Sequence, residues 1–134
     1  MTYLLLDSRQ IIAVHEAVLF EGDLTGLAGD KSLEGALGRV GNRLAYGFIT
    51  DVFELATAYA AAIAQGHCFN DGNKRTAFQT MDIVLQLNGV NIEWPTEDVG
   101  LRIIELAQSG LDEDTLSAWL RELASPLKPT PTIR

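Results

Sequence analysis

Residues 66–76 read GHCFNDGNKRT and join two apolar stretches of helical period, so their reading decides how the chain folds back on itself. Upstream, Asp51 and Glu54 have the spacing of a capping box with Asp in the Ser/Thr place. They open a helix through Phe53, Leu55, Tyr59 and Ile63 that stops at Gly66, read as its C′ residue. Downstream, a helix runs from about Asn73 through Phe78, Met81, Val84 and Leu85 to Asn88-Gly89. Asp71-Gly72-Asn73, taken alone, is an ordinary turn followed by a helix start. A turn does not require a histidine, a lysine and an arginine as well. The connection therefore carries chemistry beyond chain reversal.

Working outward, the same periodicity predicts further helices. Asp7 and Ser8 cap one that runs to about Phe20, with Ile11, His15, Val18 and Leu19 near one face. A connection containing Gly22, Gly26 and Gly29 leads to Ser32, which opens a helix through Leu33, Leu37, Val40 and Leu44. Pro95 and Thr96 start another to about Gln108, and the last spans roughly Glu113 to Ala124, with Leu116, Trp119, Leu120 and Leu123 on its apolar side. Thr2–Leu6 and Val90–Trp94 are candidates for a minor short strand pair. The expected fold class is all-α, a compact bundle of about six helices. Residues 1–125 form a single domain in this reading, and 126–134, with three of the four prolines, form a mobile tail.

Composition narrows the function. A chain of 134 residues, 47% hydrophobic and 21% charged, can bury a core without disulfides or structural metal. Its single cysteine, Cys68, excludes an intrachain disulfide and fits a reducing cytoplasm. No signal-peptide pattern is read at the start, and the longest apolar stretch, Leu55 to Ala64, is too short to span a bilayer. A cytoplasmic location without membrane contact is expected. A net charge of −8 argues against direct nucleic-acid binding, which rests on Lys and Arg neutralising phosphates. The ten basic residues are scattered singly, except that Lys74 and Arg75 are adjacent. That one basic pair lies within the 66–76 connection and points to a small anion.

The residues of the connection divide into roles. Helix N-termini offer unpaired N–H groups and a partial positive charge. Cations in a first turn oppose that dipole, so Lys74 and Arg75 make better sense sharing an anion with the backbone. Arg75 can grip phosphate oxygens as a fork, while Lys74 acts as a movable point charge. Gly72 gives the backbone room, and Asn73 can bind phosphate or cap the helix. Asp71 is a hard oxygen ligand suited to Mg²⁺ held together with nucleotide phosphates. His67 can serve as a base for a hydroxyl, a role worth roughly 10²–10⁴ in rate. Phe69 plugs into the core and anchors the loop. Cys68 is not marked as a reactive thiolate, and His15 reads as packing or surface. Walker A, G-x-G-x-x-G, zinc and nucleophile-elbow patterns are all missing from the sequence.

His67, Phe69, Asp71, Gly72, Asn73 and Arg75 match all six specified positions of H-x-F-x-D/E-G-N-x-R, the signature of the Fic family. Within that superfamily the adenylyl-transferring enzymes usually carry glycine at the Lys74 position and a second arginine at the Phe78 position. Both departures resemble the Doc (death-on-curing) toxins. So do the flanking stretches GRVGNRLAYGFITDVFELATAYAAAIAQGH at 38–67, TAFQTMDIVLQLNGV at 76–90 and LDEDTLSAWLREL at 111–123. The resemblance extends from the first helix to about Ala124.

The resemblance implies a Fic-type helical fold and a toxin that passes the γ-phosphate of ATP to a threonine of elongation factor Tu, stopping translation. It also implies an antitoxin partner of the Phd type whose C-terminal segment folds onto the toxin, here expected on a groove flanked by Leu19 and Phe20. By position, His67 is the catalytic base, Asp71 the Mg²⁺ ligand, and Gly72, Asn73, Lys74 and Arg75 the nucleotide-phosphate site. Two other readings stand beside this one. The same base, with the nucleotide reversed, would make an adenylyltransferase, and a chain that kept the fold without reacting would be a binding module.

Overall fold

The computed structural model describes residues 2–124, so the expected tail at 126–134 lies outside the described residues. Six helices follow one another: α1 (Ser8–Val18), α2 (Leu33–Ala45), α3 (Val52–Gly66), α4 (Asn73–Leu87), α5 (Thr96–Ala107) and α6 (Glu113–Ala124). The all-α class is as expected. α3 is the axis of the bundle and packs against α2, α4, α5 and α6, while α1 lies across α4 and α2. Its sequence explains that position. Ala56, Ala58, Ala60, Ala61 and Ala64 are all buried, and so small a side chain lets neighbouring helices approach on several sides. Leu55 and Ile63 of α3 interleave in the core with Met81, Val84 and Leu85 of α4, and all five are fully buried. Each such side chain contributes roughly 1.5–3 kcal/mol by leaving water.

The helix starts follow local chemistry. Asp7 caps α1 in a reciprocal box with Gln10, and the Ser32 side chain accepts from the Gly35 amide at the start of α2. At α3 only half of the expected box forms. Asp51 accepts from the Glu54 amide at 2.8 Å, but the Glu54 carboxylate accepts instead from the Thr50 amide and hydroxyl. The cause is tertiary. Arg121 of α6 donates to Asp51 at 2.8 Å and to Glu54 at 3.1 Å, so both carboxylates also tie α6 to the start of α3.

The expected strand pair does not form. Neither 2–6 nor 90–94 is a strand, and in 2–6 side chains satisfy the backbone that a ladder would have used. The Leu4 amide donates to Asn88 Oδ1 at 2.8 Å and its carbonyl accepts from Asn88 Nδ2 at 3.0 Å. The Tyr59 hydroxyl serves Leu6 in the same way, accepting from its amide at 3.1 Å and donating to its carbonyl at 2.9 Å. Trp94 fixes the other segment by its indole, edge-on to Phe78 and donating to Asp82 at 3.0 Å. α1 also ends two residues earlier than expected. Leu19 is extended, which sends 19–24 back over the start of α4.

Asp51 generates a prediction about stability. Burial raises its pKa, but the hydrogen bond and charge of Arg121 and the amides of Glu54 and Phe53 outweigh this and hold it below the usual carboxylate value. The stabilisation is therefore complete above the unfolded value of about 3.9 and is lost as pH falls through the lower folded value. Asp51→Ala is expected to lower the unfolding free energy at neutral pH by about 1–2 kcal/mol, the usual cost of losing a cap. Urea titrations of both proteins should show the gap closing below about pH 4.

Candidate active site

The loop between α3 and α4 is held by a buried ring. Phe69 is only 2% exposed and stacks on His15 of α1, with ring centroids 3.9 Å apart and planes 12° from parallel. His15 is buried as well, and its Nε2–H donates to the Asp71 carbonyl at 2.7 Å. The expectation that Phe69 anchors the loop agrees with this geometry, and of the two readings of His15, packing or surface, its burial selects packing. The backbone of the loop is further satisfied from two directions. Leu27 and Phe69 form one antiparallel bridge, in which the Ala28 amide donates to the Cys68 carbonyl at 2.8 Å and the Asn70 amide to the Gly26 carbonyl at 3.0 Å. Asn73 turns its carboxamide back to the loop, accepting from the Phe69 amide at 3.0 Å and donating to its carbonyl at 2.9 Å.

Burying Cys68 and Phe69 leaves their neighbours on the surface. His67 is exposed at the C-cap of α3 and takes the left-handed conformation, with φ 48° and ψ 43°. The sequence assigned the helix-ending role to Gly66, but Gly66 remains helical and the histidine makes the turn. The tertiary constraint explains this. The chain must reverse so that Phe69 reaches His15, and the reversal falls one residue after the glycine. A non-glycine residue there carries strain of order 1–3 kcal/mol, a feature that concentrates at functional sites. The buried Cys68 thiol has its pKa pushed up by burial, against the pull of Arg39 and Lys31, which fits an inert thiol rather than a nucleophile.

On the other side of Phe69 the chain presents the N-terminus of α4. The first three helices have side-chain caps, but α4 has none, because its N-cap residue is Gly72, and the Asn73 carboxamide is turned back to Phe69. Its first amides therefore remain available to an anion. Lys74 in the first turn is exposed. Gly72, at φ 75°, needs glycine for its conformation. Its missing Cβ does not leave space for phosphate, however. A Cβ there would lie 3.2 Å from Arg75 Nη2 and 3.4 Å from Leu19 Cδ2, so protein fills that side.

Arg75 is the largest departure from the expected phosphate clamp. Its Nε donates to the Val18 carbonyl at 3.1 Å, Nη2 pairs with Asp23, and the guanidinium lies 4.0 Å over the Phe20 ring. Among the described residues only Nη1 is without a protein partner. Asp71 is also partly engaged. Its Oδ2 accepts from the Leu24 amide at 2.9 Å, which leaves Oδ1 with no hydrogen bond among the described residues. No group of three His, Cys, Asp or Glu side chains is gathered for a metal among those residues. One carboxylate with a free oxygen suits Mg²⁺ that brings phosphate and water as its other ligands, so the donor set fits a metal–nucleotide rather than a protein cage.

Sequence reasoning missed Asp23 and the Leu24 amide, which touch Arg75 and Asp71 from the connection after α1. The Gly22-Asp23 pair signals a turn, but nothing in its spacing shows what it faces. Beside Lys74 and Arg75 a mainly apolar cavity of about 720 Å³ opens between α1, α4 and α5, lined among others by Leu19, Phe20, Phe78, Trp94 and Ile103. Phe20 is 64% exposed at its edge.

An exposed histidine on a strained helix end and an uncapped helix N-terminus with a lysine in its first turn stand at the two ends of the loop that carries the Fic signature. The chain belongs to the Fic/DOC family, whose sequence model matches residues 5–85. It is similar to the "Protein kinase doc" of Escherichia phage P1, at 41% identity over 88 residues, covering 65% of this chain and 70% of that protein.

The strained cap gives a prediction. His67→Gly relieves the left-handed strain and should raise the unfolding free energy by up to about 1 kcal/mol, read by urea denaturation. A decrease in stability would show that the imidazole itself holds the loop.

Proposed function

We propose that this protein is a Doc-type toxin that transfers the γ-phosphate of ATP to a threonine hydroxyl of elongation factor Tu. The observation that carries this reading is the uncapped N-terminus of α4 with Lys74 in its first turn, joined to the exposed His67 through the loop that Phe69 anchors. Lys74, the first amides of α4 and the free Nη1 of Arg75 bind the phosphates, Asn73 sets the loop against them, and Gly72 permits the turn. Asp71 would hold Mg²⁺, and the cation would supply neutralisation of phosphate charge. His67 takes the proton from the threonine hydroxyl as the new O–P bond forms and the bond to the ADP oxygen breaks. The similar phage protein is named a protein kinase, which favours attack at the γ-phosphorus. Lysine at 74 and phenylalanine at 78 favour it too, by the resemblance set out above.

The apolar cavity supports the partner side of the reading. Leu19 and Phe20 line it with Trp94 and Ile103, a surface suited to the apolar face of a helical segment from a Phd-type antitoxin. A segment seated there would lie beside Lys74 and Arg75 and shield the phosphate site.

Isotopic ATP tests the reaction. With elongation factor Tu as acceptor, label from the γ position should appear on the factor, and His67→Ala should reduce its rate by roughly 10²–10⁴. Transfer of α-label instead would assign an adenylyltransferase. Equal inhibition of translation by wild type and His67→Ala would assign a binding module.

A further inference from the structure

The two charged side chains that flank the phosphate site are both held by one segment that the signature does not include. Residues 20–23 form a tight turn in which the Asp23 amide donates to the Phe20 carbonyl at 3.0 Å and the Phe20 amide donates to Asp23 Oδ2 at 2.8 Å. Gly22, at φ 91°, allows that turn. The same Asp23 oxygen accepts from Arg75 Nη2, and Arg75 Nε reaches back to the Val18 carbonyl. The next amide along, that of Leu24, donates to Asp71 Oδ2. Asp71 is thus fixed twice, at its carbonyl by His15 and at one carboxylate oxygen by Leu24. The Asp23 side chain is 21% exposed and that of Arg75 35%, so the pair is partly shielded from water.

We propose that Asp23 is a positioning residue for the metal–nucleotide site: paired to Arg75, it holds the Phe20–Leu24 turn against α4, and the Leu24 amide then aims the free oxygen of Asp71 at the cation. This rests on the nucleotide reading given above. Two features separate positioning from simple competition between Asp23 and phosphate for Arg75. Asp23 is bonded to its own turn as well as to the arginine, so releasing Arg75 would not free the carboxylate. The guanidinium is also committed to Val18 and Phe20 independently of Asp23, with its remaining nitrogen still available.

The test uses the full chain, with a non-transferable ATP analogue carrying an imido bridge between its β- and γ-phosphates. Binding is measured by calorimetry with Mg²⁺ and again with EDTA, for wild type, Asp23→Ala and Asp23→Asn. Exchange of the Leu24 amide proton is followed by NMR without nucleotide. Asp23→Ala should weaken binding in Mg²⁺ by roughly 10–100-fold, the usual effect of removing a group that orients a metal ligand. Binding in EDTA should be unchanged, and Asp23→Asn, which keeps an acceptor for Arg75, should fall between the other two. Leu24 exchange in Asp23→Ala should rise by about tenfold or more while α3 amides stay protected. Unchanged Leu24 exchange overturns the proposal whatever the nucleotide does. Tighter binding by Asp23→Ala, with or without Mg²⁺, also overturns it and makes Asp23 a competitor. If wild type binds no analogue in Mg²⁺, the nucleotide reading itself fails and takes this inference with it.

Discussion

The contact between Phe69 and His15 is the constraint from which the site follows. Two rings stacked 3.9 Å apart, both buried, fix the middle of the α3–α4 loop against α1. Such a contact contributes about 0.5–1.5 kcal/mol beyond the area it buries. The hydrogen bond from His15 to the Asp71 carbonyl adds a polar tie in a place where an unpaired carbonyl would be costly. With its centre held inside, the loop can only turn its ends outward. One end carries His67 into the left-handed region, and the other delivers Gly72 and the bare start of α4. The exposed histidine and the uncapped start of α4 are therefore both placed by one buried side chain.

The scaffold below is built to keep that loop from yielding. α3 is buried along most of its length and is clasped at its start by Arg121 of α6 and at its end by the Phe69 anchor. Local rules are broken at both ends of the loop. α4 lacks a side-chain cap, and α3 ends on a histidine in a conformation that favours glycine. Each departure costs stability and leaves a reactive or binding group available, as is common where function and stability compete.

Charge is arranged on the same principle. A chain of net charge −8 places its one adjacent basic pair at this site and then gives the two cations different environments. Lys74 stays exposed, whereas Arg75 is half-buried and bound to Asp23, Val18 and Phe20. A planar guanidinium suits that division, since it can serve the fold along one edge and keep a nitrogen on the other. An ammonium lacks this geometry and acts as a point charge.

The order of the six helices, their caps at Asp7, Ser32 and Asp51, and the loop that carries the family signature were legible in the sequence. Each depends on neighbours within about one or two turns of chain, where spacing alone carries the signal. The strand pair, the ending of α3 and the partners of Arg75 were not. Leu4 and Leu6 are satisfied by Asn88 and Tyr59, His67 turns because Phe69 must meet His15, and Arg75 faces Asp23 because α1 ends early. In every one of these the deciding atom lies far away along the chain. The sequence by itself determined which residues carry the family signature and on which helix ends they stand. Only the tertiary structure decided which of them are already occupied, because a side chain's free valences depend on what packing brings beside it.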